Sequence, residues 1–377
     1  MDQSVRVGIV GGGQLGRMLT EAANKMNISV AVVDNNENCP AAQVGAQQIK
    51  GDFHDQQAIK KLADISDVLT IESEHIDADF LDELANLGKP VYPDPKVIKT
   101  IQDKFSQKQH LAQIGVPVAE FSSIDGLEDA TKVLQDFGGQ FILKSRKGGF
   151  DGRGNVVVRS EDELSDAFES LGKTELYAEK LIDFKQEIAV MAAYSKTADI
   201  ATYPVVETVQ ARNICLEVYA PAEIDKNLSD QAIELTQKII RSYKTPGVFG
   251  IEMFVTQDDK VIINEVAPRV HNSGHYTIEA CQTSQFEQHL RCITGRELGN
   301  TDLKAKTAVM VNILGERDGE TLNRGIDEAS KIPDTYIHLY GKSPTKIDRK
   351  MGHLTSLAND HETSLKNARS ARRLIEI

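Results

Sequence analysis

The stretch Val5-Arg6-Val7-Gly8-Ile9-Val10 runs directly into Gly11-Gly12-Gly13-Gln14-Leu15-Gly16, and no other feature narrows the fold as much. The apolar run reads as a strand buried on both faces, the habit of parallel sheets. Behind it, Leu15, Met18, Leu19, Ala22, Ala23 and Met26 fall on one stripe of a helix. Strand, glycine turn and amphipathic helix open a βαβ unit, and Ser29–Val33 supplies its second strand. That strand ends at Asp34, about 20 residues past the glycines, where an acceptor for ribose hydroxyls would stand. Taken alone the pattern locates a phosphate-bearing ligand at a helix N-terminus. NAD or FAD is one candidate, and a plain structural turn is another.

Val68–Ile71 and a short Val91-Tyr92, stopped by Pro93 and Pro95, extend the alternation to a doubly wound parallel sheet of four or five strands. Lys96 to Ile114 reads as one helix closed by Gly115 and Pro117. Strands follow at Phe141–Lys144, Val156–Val158, Glu187–Ala193, Ile200–Val209, Val248–Val255, Val261–Val266 and Val309–Leu314, with helices near Ser229–Tyr243 and at the basic C-terminal segment. At 377 residues the chain exceeds a single core. The expected units are 1–95, 96–185, 186–300 and 301–377.

The net charge of −13 argues against nucleic acid or an anionic membrane as the main partner. No apolar run approaches the roughly 20 residues of a membrane span, and the N-terminus has no signal-peptide pattern. Cys39, Cys215, Cys281 and Cys292 lack C-x-x-C spacing, so a reducing, cytoplasmic setting is expected, without a disulfide scaffold or structural zinc.

Three segments carry the chemistry. Between the strands at 141–144 and 156–158, residues 148–154 contain four glycines, with Lys144, Lys147 and Arg153 around them. No G-K-[ST] follows, so this is not a P-loop; a pliable hairpin of this kind can fold over a triphosphate. Glu252 and Glu265 lie on adjacent strands joined by the turn Gln257-Asp258-Asp259. Together with Asn264 they make hard oxygen ligands suited to Mg²⁺ on a nucleotide. Ala267-Pro268-Arg269-Val270-His271-Asn272-Ser273-Gly274-His275 comes next, dense in anion donors. His271 and His275 stand four apart, but no glutamate lies in an H-E-x-x-H arrangement and Ser273-Gly274 disfavours helix, so zinc is not expected.

These residues together resemble the ATP-grasp superfamily and, more narrowly, the N5-carboxyaminoimidazole ribonucleotide synthetases. The likeness rests on G-G-G-Q-L-G-R-M at 11–18, Glu72-Ser73-Glu74, Gln102-Asp103-Lys104, the glycine hairpin, Ala178-Glu179-Lys180, N-E-V-A-P-R at 264–269, H-N-S-G-H at 271–275 and R-K-M-G-H at 349–353. It implies α/β and α+β layers in an ATP-grasp architecture: an N-terminal doubly wound parallel-sheet domain, a small lid subdomain and a C-terminal mixed-sheet domain. It implies an ATP-dependent ligase that joins bicarbonate to aminoimidazole ribonucleotide through carboxyphosphate, with Mg²⁺ (or Mn²⁺), as a homodimer.

By position, Lys104 and Lys144 resemble phosphate-contacting cations, and Gly149, Phe150, Asp151, Gly152, Arg153, Gly154 and Asn155 the phosphate lid. Glu179, Lys180, Leu181 and Ile182 resemble the adenine hinge and Glu187 the ribose acid, with Gln210, Asn264 and Glu265 as further nucleotide contacts. Glu252 and Glu265, beside Asn264, match the metal ligands. Arg269, Lys350 and Arg153 match the catalytic cations, and Gln14, Leu15, Glu74, His271, Asn272, Ser273, His275 and Arg349 are candidates for the ribonucleotide. The chain departs from the family pattern at Phe150, usually Tyr, at Gln210, usually His, and at Lys104, usually Arg, which keeps charge but loses bidentate geometry. A dehydrogenase, a non-catalytic ATP sensor and another ATP-grasp ligase are the competing readings.

Overall fold

In the computed structural model of the chain, residues 5–149, 154–172 and 174–377 are described. Strands β1 (Arg6–Val10), β2 (Ser29–Asp34), β3 (Gln47–Lys50) and β4 (Val68–Ile71) form one parallel sheet in the order β3-β2-β1-β4. The winding reverses at β1, as a doubly wound sheet requires. Helix α1 (Gln14–Lys25) buries Leu15, Met18, Leu19 and Ala23, the stripe read from the sequence. Helices α2 (Gln56–Ile65) and α3 (Ala78–Asn86) start on the aspartate caps Asp55 and Asp77. The expected fifth strand at Val91-Tyr92 shrinks to one bridge between Val91 and Leu69, because Pro93 brings no N–H to continue the ladder.

The single helix expected over Lys96–Ile114 is two, α4 (Pro95–Gln102) and α5 (Lys104–Gln113). Asp103 between them leaves helical geometry (φ −96°, ψ 102°) and turns its carboxylate to the Ser106 N–H, starting α5 as its N-cap. A small antiparallel sheet follows, of β5 (Phe121–Ile124), β6 (Phe141–Ser145), β7 (Asn155–Val158) and β8 (Leu176–Glu179) in the order β5-β8-β6-β7. The β6–β7 hairpin carries the glycine-rich segment, of which Phe150, Asp151, Gly152 and Arg153 lie outside the described residues.

The rest builds one nine-stranded sheet from β9 (Phe184–Tyr194), β10 (Ile200–Thr202), β11 (Val206–Ala211), β12 (Ile214–Ala220), β13 (Gly247–Thr256), β14 (Val261–Ala267), β15 (Thr307–Leu314), β16 (Thr335–Leu339) and β17 (Lys350–Ala358). Its order is β14-β13-β9-β11-β12-β15-β17-β16, with β10 paired to β9. The expected continuous strand Ile200–Val209 is split around Pro204, which cannot donate to a ladder. Side chains alternate across the sheet. On β13, Phe249, Ile251, Met253 and Val255 enter a core shared with the helix Lys226–Tyr243. On β9, Ala189, Met191 and Ala193 enter a second core shared with β1 and α1. At roughly 1.5–3 kcal/mol per large buried aliphatic side chain, this two-sided packing outweighs any local propensity.

Candidate active site

With the odd-numbered residues of β13 committed to the core, Glu252 takes the opposite face. The β13–β14 register slips beside it: Glu252 pairs with Glu265 while Met253 pairs with Ile263, so Asn264 is an extra, bulged residue. The bulge places the two carboxylates as direct cross-strand neighbours, about 5 Å apart at Cβ. Burial, then Glu265 and Glu187, push the Glu252 carboxyl up to about 7 against the opposing pull of Lys350 and Lys104. Burial also raises Glu265, yet the Lys104 ammonium, 2.9 Å from its Oε2, outweighs that and holds it below the usual carboxylate range. Two facing acids whose proton affinities are driven apart in this way behave as one coupled unit.

Lys104 is the first residue of α5, so the Asp103 break aims it at β14. One turn on, Lys108 reaches Glu179 Oε1 at 3.3 Å, and Lys144 of β6 reaches Glu179 Oε2 at 3.1 Å. One buried carboxylate faces two ammonium groups. Burial raises Glu179 but the lysines pull it down; Lys108, the more buried lysine, is lowered by burial. The arrangement is an electropositive seam between the small sheet and the acid pair.

The hinge residues expected for adenine join β8 to β9. Lys180, Leu181 and Ile182 line a cavity of about 440 Å³ with Ile262, Thr256 and Glu120. The Lys180 N–H donates to the Glu120 carbonyl at 2.8 Å, tying the hinge to the segment before β5. Glu187 is raised by burial, offset by a hydrogen bond from Gln210, so these two nucleotide candidates meet across β9 and β11. Gly149, Gly154 and Asn155 flank the hairpin at the end of β6 and the start of β7; Gly154 accepts from the Ser145 N–H at 2.8 Å.

On the other flank Arg269 grips Glu74 with Nε and Nη2 at 2.5 and 3.0 Å. Burial raises Glu74, but the guanidinium more than reverses it and brings the carboxyl down to about 2. His271 Nε2 lies 3.6 Å from Glu252 Oε1, and its Nδ1 meets Ser273 Oγ at 2.9 Å. Burial, then Arg269 and Lys350, lower the imidazole to about 3, so it is neutral. Gly250 makes this approach feasible, because a Cβ there would sit 2.6 Å from the His271 Cβ. Lys350 starts β17 close enough for its charge to act on Glu252 and His271.

The remaining ribonucleotide candidates divide. Gln14 accepts a hydrogen bond from Lys342 Nζ, which also donates to the Lys350 carbonyl at 2.9 Å. Arg349 donates to the Pro344 carbonyl at 2.5 Å. Leu15 is buried on α1, with its side chain in the core. Asn272 exchanges amide hydrogen bonds with Asn312 at 3.0 and 2.7 Å, and Ser273, besides meeting His271, donates to Met191 Sδ. His275 also turns inward: it is fully buried against Phe286 and His353, with Nδ1 at Gln285 Nε2.

The glycine loop at 11–16 is satisfied from within the protein. Glu72 accepts the Gly13 N–H at 2.7 Å and the Gly16 N–H at 2.6 Å, and Asp34 accepts the Gly12 N–H at 3.2 Å. The donors that would cradle a pyrophosphate already hold a carboxylate, and Asp34, the expected ribose acceptor, is buried. The dinucleotide reading of this loop is overturned.

The sequence reading assigned no role to five contributors. Lys108 was within reach of it, four residues after Lys104 on one helix face. Glu72, Lys342 and the Asp103–Arg146 pair act through long-range contacts that no local spacing announces. Among the described residues no three His, Cys, Asp or Glu side chains converge on metal-binding geometry. A divalent ion at Glu252 and Glu265 would therefore complete its shell with phosphate oxygens and water, the habit of Mg²⁺.

Family models match the chain in three consecutive blocks: a ribonucleotide synthetase preATP-grasp domain over residues 4–102, an ATP-grasp domain over 109–286, and a phosphoribosylaminoimidazole carboxylase C-terminal domain over 308–367. The phosphoribosylaminoimidazole carboxylase of Schizosaccharomyces pombe is 43% identical over 95% of this chain. The chain spans 66% of that protein's length. The N5-carboxyaminoimidazole ribonucleotide synthase of Staphylococcus epidermidis is 38% identical, over 94% of this chain and 92% of its own. Among solved structures, the N5-carboxyaminoimidazole synthase of Aspergillus clavatus in complex with ADP and 5-aminoimidazole ribonucleotide superposes with a TM-score of 0.92 at 39% identity, over 99% of both chains. With the ATP-grasp fold, the facing acids and the seam of lysines in place, the chain belongs to the N5-carboxyaminoimidazole ribonucleotide synthase family.

Proposed function

We propose that this chain carboxylates 5-aminoimidazole ribonucleotide with bicarbonate at the expense of ATP, giving N5-carboxyaminoimidazole ribonucleotide, ADP and phosphate. The observation that carries the reading is the Glu252–Glu265 pair, with Lys104 and Lys144 on one flank and Arg269, His271 and Lys350 on the other. The Aspergillus clavatus complex supports it, since that relative holds ADP and the ribonucleotide together.

Mg²⁺, or Mn²⁺ in its place, fits the acid pair: both oxygens are hard, Asn264 lies beside them, and their mutual repulsion is what a divalent cation relieves. Bound there, it would neutralise phosphate charge. Lys104 and Lys144 would hold the phosphates, the 180–182 hinge the base, and Glu187 with Gln210 the ribose. A bicarbonate oxygen attacks the γ-phosphorus and ADP leaves, forming carboxyphosphate. The exocyclic amine takes the carboxyl carbon, directly or after CO₂ is released, loses one proton, and phosphate departs.

The obstacle is an anion approaching a polyanion, about 4 kcal/mol per unit-charge pair at 4 Å and an effective dielectric near 20. In this reading Arg269 and Lys350 offset it, and catalysis is positioning and charge stabilisation. Arg153 and Phe150, on the hairpin, keep their expected lid roles in this reading.

The proposal includes the four units 1–95, 96–185, 186–300 and 301–377, a homodimer, and a cytoplasmic location. In its favour on the last point, no helix among the described residues is long and apolar enough to cross a membrane. Phosphate release from ATP with each substrate omitted in turn tests the reaction. Release should need ATP, bicarbonate and ribonucleotide together; equal release when the ribonucleotide is replaced by another amine would overturn it.

A further inference from the structure

Asp103 and Arg146 have no part in the chemistry above, yet they join the two elements that carry the phosphate-facing lysines. Arg146 follows β6, two residues after Lys144, and its N–H donates to the Glu175 carbonyl at 2.9 Å. Its guanidinium meets the Asp103 carboxylate through Nε at 3.1 Å to both oxygens and through Nη2 at 2.6 Å. The Arg146 carbonyl accepts the Lys104 N–H at 2.8 Å. One residue thus grips both sides of the α4–α5 break, by side chain at Asp103 and by backbone at Lys104. The guanidinium also lies 5.0 Å over the Phe105 ring, which packs edge-on against Phe121 of the small sheet at 5.5 Å. Asp103 is buried, so the bidentate pair is shielded from solvent on the carboxylate side.

We infer that the Asp103–Arg146 clamp fixes Lys104 relative to Lys144, which makes Asp103 a positioning residue for the nucleotide phosphates. The inference rests on the nucleotide reading of those lysines given above. Lys104 comes from the first turn of α5 and Lys144 from β6, and their spacing is set by no shared element of secondary structure. Glu179 ties α5 to β6 through Lys108 and Lys144, and the clamp adds the tie at Lys104 itself.

The test is a double-mutant cycle read by Mg-ATP dissociation constants, with Asp103→Asn, Lys104→Met and the double variant. Asparagine caps helices as well as aspartate does, so α5 keeps its start while the charged fork is lost. Asp103→Asn should weaken Mg-ATP about tenfold, and raise KM for ATP more than it lowers kcat. In the Lys104→Met background the same substitution should add less than about a twofold loss. Equal losses in both backgrounds, or none in either, would overturn the clamp. Should Asp103→Asn prove too unstable to study, Arg146→Lys keeps the charge without the fork, and an unchanged Mg-ATP affinity there would be equally fatal. If the wild-type chain binds Mg-ATP but shows no bicarbonate-dependent turnover, the carboxylation reading falls while the cycle still decides the clamp.

Discussion

Glu72 is a buried glutamate and Glu252 a half-buried one, each beside a glycine-bearing turn or strand, and their surroundings differ. Glu72 sits at the start of α1 with two backbone N–H donors on its oxygens. Glu252 faces Glu265 and Glu187, and its nearest cations serve other partners as well. The first acid closes a site that the sequence pattern advertises as open. The second stands in a repulsive field that Lys350 and Lys104 ease in part and that a divalent cation would relieve further. Burial pushes both carboxyls up, but Glu72 finds backbone donors inside the fold, whereas Glu252 faces other acids.

Removing the charge from the unsatisfied side should have the largest effect. Glu265→Gln deletes one of the two facing carboxylates and strands Lys104. Bicarbonate- and ribonucleotide-dependent ADP release should fall by more than about 100-fold at saturating Mg²⁺. Turnover within tenfold of wild type would take Glu265 out of the metal site.

On the satisfied side the same chemical change should be felt by the fold. Glu72→Gln puts an amide where two N–H donors need acceptors, so urea unfolding should show a loss of about 2 kcal/mol. Mg-ATP affinity should stay within about twofold, since the loop's hydrogen bonds to Glu72 and Asp34 involve none of the three lysines. Tight NADH binding by the wild-type chain would break the comparison outright.

The smallest expected effect comes from proton competition at Glu252. Its carboxyl, raised to about 7, must be ionised to hold a divalent ion. Apparent Mg²⁺ affinity should drop up to about tenfold per pH unit below 7 and level off above it. The stability sign runs the other way. The folded chain binds this proton more tightly than the unfolded one, so without metal its contribution to stability declines as pH rises from about 4.5 to about 7. A flat Mg²⁺ affinity between pH 6 and pH 8 would show that the two acids do not share the ion.

Much of the architecture was legible because it is periodic. The apolar runs of β1, β13 and β14 and the stripe of α1 follow from strand and helix repeats, and the acid pair stood out because charge in apolar strands needs a reason. What stayed hidden was non-periodic. Asp103 interrupts a helical pattern that runs on without a proline or glycine to announce the break. Glu72 reaches glycines nearly sixty positions away, and Lys342 meets Gln14 across most of the chain's length. His275 shows the limit from the other direction: nothing in the spacing of its motif announces that its ring is fully buried between Phe286 and His353.

The acid strands and the strand bearing Lys350 belong to one hydrogen-bonded sheet, with β9, β11, β12 and β15 between them. The gap from anion to cation is thus governed by how that sheet coils, a quantity spread over dozens of backbone bonds and hard for one substitution to alter. Reshaping the space between those strands would therefore proceed by trimming side chains sooner than by moving backbone.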